Sequence, residues 1–175
     1  MIARWNSRNA RCLRAATLFA SGLGTFVWCG TVQGALLTWN IAGGGDFNTP
    51  SNWNPSGVPG VADTGIFDNN ATGTVTFSAN ANPLDLAFRN TSGALTFDLG
   101  GTTLTMGNAT TGGRFLLGAA AGQVNDVTLR NGSIVHLHTT AANLMQVGNF
   151  AGSNGNRLTI TGNTTSMTSP STAGV

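Results

Sequence analysis

The residues of this chain that can do chemistry are few, and most stand alone. His136 and His138 are its only histidines. Two apart on a strand, they face the same side, so a metal pair is geometrically open to them. No cysteine or glutamate follows the first 35 residues to complete such a site, and no acidic residue lies close in sequence. The plainer expectation is two exposed positions on one rung. Asp63, Asp68, Asp85, Asp98 and Asp126 are the next candidates, because paired carboxylates serve glycoside hydrolysis or calcium binding. Asp68 and Asp98 stand 30 residues apart, each after an inward-facing phenylalanine, so they are expected to stack. The same register runs on to Arg130 and Thr161. That predicts a polar Asp68–Asp98–Arg130 ladder rather than an acid pair. Trp39 and Trp53 are candidate carbohydrate contacts, since an indole stacks on a sugar ring; the other reading buries them over a core. No Ser-His-Asp set, phosphate loop or zinc spacing occurs. No catalytic residue and no cofactor is therefore assigned.

The elements that must position these residues repeat. Ile66/Phe67, Val75/Phe77 and Leu86/Phe88 form one set of short apolar strand signals. Leu95/Phe97, Leu104/Met106 and Phe115/Leu117 form the next. Val127/Leu129, Val135/Leu137 and Met145/Val147 form a third, and Leu158/Ile160 opens a fourth. The steps Phe67 to Phe97, Phe97 to Leu129, Leu129 to Ile160 and Leu117 to Val147 are 30, 32, 31 and 30 residues. A fixed period with three strands per unit predicts an all-β fold, a parallel β-solenoid or β-helix of three strands per roughly 30-residue turn, because each turn buries its apolar face only against its neighbours. An antiparallel sandwich also fits strands at this spacing, but it requires no constant period. The punctuation repeats too. Asn70, Gly101, Asn131 and Gly162 follow the first strand of each set, and Gly118 and Gly148 follow the third. Asn and Gly tolerate the positive φ of a sharp corner. Five Asn-x-Ser/Thr sequons, at Asn70, Asn90, Asn108, Asn131 and Asn163, come with so much Asn and Thr.

The front of the chain differs from the rest. Arg4, Arg8, Arg11 and Arg14 precede an apolar stretch from Ala15 to Gly30, and small residues follow at Gly34 and Ala35. That is the layout of a secretory signal peptide, expected over residues 1–35, with cleavage after Gly34 or after Ala35. The apolar run is too short and glycine-rich for a good spanning helix, so no membrane span is expected in the mature chain. Cys12 and Cys29 leave with this segment, so no disulfide framework remains. Four of the eight arginines leave as well. The remaining four face six aspartates, a balance of −2, and no basic patch survives to suggest nucleic acid as a partner. Residues 36–65, with Trp39, Phe47 and Trp53 and three prolines, read as an aromatic N-terminal cap. Residues 66–165 read as the solenoid. Residues 166–175 read as a polar Ser/Thr tail, or as the start of a truncated repeat.

Trp39-Asn40, Gly43-Gly44-Gly45-Asp46-Phe47, Asn52-Trp53, Gly57, Pro59, Asp63 and Phe67, taken in order, carry a resemblance. This block resembles the N-terminal block of secreted bacterial proteins with autotransporter-associated β-strand repeats, relatives of which often carry a PEP-CTERM sorting signal. Val147-Gly148-Asn149, Gly152 to Asn156 and Leu158 to Gly162 are similar to their repeat unit. The resemblance implies an exported β-helical protein at the cell surface or in the extracellular matrix, and no single activity. Neither a translocator barrel nor a Pro-Glu-Pro anchor is in the sequence, as expected of a fragment. The expected function is that of a non-catalytic structural or adhesive element, partnered by extracellular polysaccharide or other cell-surface components. A carbohydrate-binding or polysaccharide-degrading β-helix protein is the alternative.

Overall fold

Short runs of Thr, Val, Leu and Phe, each closed by Gly or Asn, leave the backbone little choice beyond extended segments and tight corners. A computed structural model describes residues 34–108, 111–137, 145–148 and 151–168. These form fourteen strands. The first seven are β1 (Leu36–Trp39), β2 (Gly45–Asp46), β3 (Trp53–Asn54), β4 (Thr64–Phe67), β5 (Gly73–Thr76), β6 (Asp85–Phe88) and β7 (Ala94–Asp98). The rest are β8 (Thr103–Met106), β9 (Arg114–Leu117), β10 (Asp126–Arg130), β11 (Ser133–His136), β12 (Met145–Val147), β13 (Arg157–Thr161) and β14 (Ser166–Thr168).

The chain coils, as a parallel β-solenoid of about four turns. One sheet runs β12-β9-β6-β4-β1-β3, a second β13-β10-β7-β5-β2, and a third β14-β11-β8. Every ladder between these strands is parallel except β1 with β3. Register is strict in the later turns: Phe97 pairs with Leu129 and Leu129 with Ile160, while Phe115 pairs with Met145. Inward residues of the three sheets make one core. Val75, Leu86, Phe88, Phe97, Leu104, Leu117, Leu129 and Ile134 are all essentially inaccessible.

The turn from β4 to β6 departs from the expected phase. Phe67 pairs with Phe88, not with Phe97, and Val75 pairs with Phe97. From Phe67 to its partner is thus only 21 residues, against 29 from Phe88 to Leu117. The physical reason is a missing side. Between β5 and β6 the chain makes no strand of the third sheet and only bridges to it, Ala81 to Leu104. The coil also starts earlier than residue 66, because β1 and β2 already pair in parallel with β4 and β5. What covers the first rung is narrower: the 3-10 turn Pro50–Asn52 leads into β3, which lies antiparallel along the outer edge of β1. An aromatic column fills that end. Trp39 meets Trp53 edge-on at 5.1 Å, Phe47 meets Trp53 at 4.9 Å, and Phe67 stacks on Phe88 at 5.1 Å.

Candidate functional site

The corner residues are where backbone chirality is spent. Asn70 (φ 55°), Gly101 (φ 89°), Gly118 (φ 73°), Asn131 (φ 59°), Gly148 (φ 65°) and Gly162 (φ 100°) all lie in the left-handed region. They belong to two different corners. Gly101, Asn131 and Gly162 turn the chain from the second sheet to the third. Asn70 follows β4 and shares the corner between first and second sheets with Gly118 and Gly148, so it does not head the row that its spacing suggested.

Asn70 instead begins an asparagine ladder. Its N–H donates to Asn90 Oδ1 at 2.9 Å, the Asn90 N–H to Asn125 Oδ1 at 3.0 Å, and the Asn125 N–H to Asn156 Oδ1 at 2.9 Å. Asn90 is 2% exposed and Asn125 fully buried, so these amides satisfy backbone donors that no strand partner reaches. Asn156 Nδ2 closes the ladder on Ser153 Oγ at 2.8 Å and the Gln123 carbonyl at 3.0 Å. Asn90 therefore has a structural task that its sequon does not reveal.

The carboxylates have similar work. Arg114 reaches Asp85 with Nη2–Oδ2 at 2.6 Å, and the Arg114 N–H donates to Asp85 Oδ1 at 2.7 Å. Arg130 reaches Asp98 at 2.9 Å, and Asn131 Nδ2 donates to the other oxygen at 3.0 Å. Arg157 clasps Asp126 through Nε at 3.0 Å and through Nη2. The aspartate always comes first and the arginine one turn later, 29, 32 and 31 residues on. The hydrogen bond from Asn131, aided by Gly100 N–H and Arg130, outweighs desolvation and holds Asp98 below the ordinary carboxylate range. The Arg157 hydrogen bond does the same for Asp126. At Asp46, desolvation opposes the shift, but bonds from Ser78, Asn48 and Thr49 prevail and its pKa is lowered. Asp63 Oδ1 accepts from the Ala35 N–H at 2.7 Å and Oδ2 from the Gly60 N–H at 2.9 Å.

Two sequence expectations are corrected here, and of the two readings of the tryptophans the buried one holds. Asp68 does not stack on Asp98: the residue opposite Asp98 in the preceding turn is Thr76, while Asp68 continues the β4–β6 register beside Arg89. Only the Asp98–Arg130 half of that ladder exists. His136 is not an exposed rung position. It is 2% accessible, pairs with Met106, and shares the inward face of β11 with Ile134, because that strand turns one residue out of the Val135/Leu137 phase. His138 lies outside the described residues, and no group of three His, Cys, Asp or Glu among the described residues can hold a metal ion. Trp39 and Trp53 are 0% and 2% exposed. Trp53 donates through Nε1 to the Phe47 carbonyl at 2.8 Å. Neither ring has a free face for a sugar.

What faces outward is threonine. Thr74, Thr96, Thr128 and Thr159 fall in one register across the second sheet, with Thr76, Asp98, Arg130 and Thr161 in the next column. The third sheet presents Thr103, Ser133 and Ser166 in one column and Thr105, Val135 and Thr168 in the other. Such columns repeat at the inter-strand spacing of about 4.8 Å. No helix among the described residues is long and apolar enough to cross a membrane. No family model, no curated protein and no solved structure matches the chain.

Proposed function

We propose that this protein is an exported, non-catalytic β-solenoid, of the autotransporter-associated repeat type, that serves as a structural or adhesive element at the cell surface or in the extracellular matrix. One observation carries the non-catalytic part: five of the six aspartates are committed to holding turns together, which leaves Asp68 without a second free carboxylate to pair with. Asp46, Asp63, Asp85, Asp98 and Asp126 each accept hydrogen bonds from another segment of the coil. A general acid or nucleophile needs a carboxyl group free to meet substrate. Export rests on the arginine-led apolar front of the sequence.

The carbohydrate-binding alternative survives in a changed form. With both tryptophans buried, its surface would be the in-register hydroxyl columns of the second and third sheets. The test has two parts. Fractionation of cells carrying the full chain should place it outside the cytoplasmic membrane; retention in the cytoplasm refutes export. Incubation with insoluble glucans, chitin and uronate polymers should leave each polymer intact. Release of reducing ends or unsaturated uronate refutes the non-catalytic reading, and depletion of protein onto one polymer selects the binding alternative.

A further inference from the structure

We infer that the chain is processed between Gly34 and Ala35, and that Asp63 is the receptor for the new amino terminus. The inference rests on the export reading above and goes beyond it, because the sequence alone leaves two cleavage positions open. Ala35 is anchored at both of its backbone groups. Its N–H donates to Asp63 Oδ1 at 2.7 Å, and its carbonyl accepts the Thr64 N–H at 2.9 Å. Leu36 then starts β1, in register with Thr64. Hydrolysis by a leader peptidase adds water across the Gly34–Ala35 C–N bond: residues 1–34 leave with a carboxylate on Gly34, and the Ala35 nitrogen stays in place, turned from an amide into an ammonium. The same atom then carries a positive charge and three protons where one N–H stood, beside a carboxylate whose other oxygen is held by Gly60. A hydrogen bond to an ion becomes an ion pair.

Cutting one residue later has the opposite effect. It removes both Ala35 bonds, strips Asp63 Oδ1 and the Thr64 N–H of these partners, and begins the chain at Leu36, which is 63% exposed. A Cβ at Gly34 would stand 1.4 Å from the Ala62 carbonyl oxygen, so the residue ahead of Ala35 has to be small. A small residue before the scissile bond is also what a leader-processing peptidase accepts.

The experiment uses the full chain, exported by a bacterium, and reads the amino terminus of the product by intact mass and terminal sequencing. A product beginning at Ala35 supports the inference. A product beginning at Leu36 or elsewhere overturns it and leaves export standing. A chain kept in the cytoplasm with its front intact overturns the export reading as well. The receptor role of Asp63 is read on the same product. The chain contains no lysine, so the terminal ammonium is its sole amine and an amine-selective acetylating reagent modifies one group. Acetylation should be slower in the native protein than in urea, and should lower Tm by about 1–4 °C. In Asp63→Asn the same acetylation should leave Tm unchanged. Equal rates with no shift in the unsubstituted protein overturn the pairing, and that comparison needs no variant to fold.

Discussion

Asn125 shows how one side chain can hold a turn. Its Oδ1 accepts the Asn90 N–H, and its own N–H and Nδ2 both donate to the half-buried Asn156 Oδ1, with Asn125 itself fully buried. Asn125→Ala removes the acceptor and leaves the Asn90 donor buried and unmet, which costs about 1–3 kcal/mol. The expected outcome is a clear fall in Tm. Asn125→Asp should not rescue it, because it keeps the acceptor but loses the Nδ2 donor and buries a charge. An unchanged melt for both variants would remove the ladder from the account of stability. The carboxylates give a second prediction at this scale. Asp46, Asp98 and Asp126 titrate below the ordinary value of 3.8 in the folded protein. Their contribution is therefore complete above that value. It is lost as pH falls from that value through the lowered folded pKa, since the unfolded chain takes up protons first. Tm should be level from neutral pH down to about pH 5 and decline below about pH 4. The slope is shallow because these groups are largely solvated, and Asp98→Asn should flatten it further.

Strands were the legible elements, and their alternation explains why. Leu95-Thr96-Phe97-Asp98-Leu99 points apolar residues one way and polar residues the other, and β7 buries Leu95 and Phe97 as that pattern requires. Corners were legible because Asn and Gly fill positions of positive φ. Register was less legible wherever a residue type misleads. In β11 the pair Val135/Leu137 looks inward, yet Ile134 and His136 are the buried residues. A β-branched residue and an imidazole can each sit on either face. The turn from β4 to β6 misled for another reason: its two strand-to-strand gaps look regular although one side of the coil is only a bridge at Ala81. The asparagine ladder was invisible because its steps of 20, 35 and 31 residues follow corners of unequal length. The aromatic end of the coil yields the element-scale test. In the chain from Ala35 onward, Trp39 and Trp53 are the only tryptophans. Their emission should be blue-shifted and resist iodide until the protein unfolds. Strong quenching of the native protein would contradict their burial against Phe47 and Phe67.

A coil of this kind distributes stability turn by turn, since each rung touches only its neighbours. Burial is not even along it. Val127 and Leu129 of β10 are 1% and 0% exposed, and Leu95 and Phe97 of β7 are 2% and 0%. In β13 the equivalent Leu158 is half-buried and Ile160 is 44% exposed. The N-terminal end has the aromatic column and β3 laid along β1, whereas Met167 of β14 is only partly buried. Local opening should therefore cost least at β13 and β14 and most across β6, β7 and β10, because protection follows buried apolar contact. Native-state hydrogen exchange should show amides of 157–161 and 166–168 exchanging ahead of those of 94–98 and 126–130. Substitution tells the same story by amplitude. Phe97→Ala leaves a void beside Phe67, Phe77 and Phe88 and should cost about 3–5 kcal/mol, while Ile160→Ala should cost much less. Uniform exchange across the strands, with equal losses from the two substitutions, would mean the coil unfolds as one unit. Neighbour-by-neighbour stability would then be the wrong description of this coil.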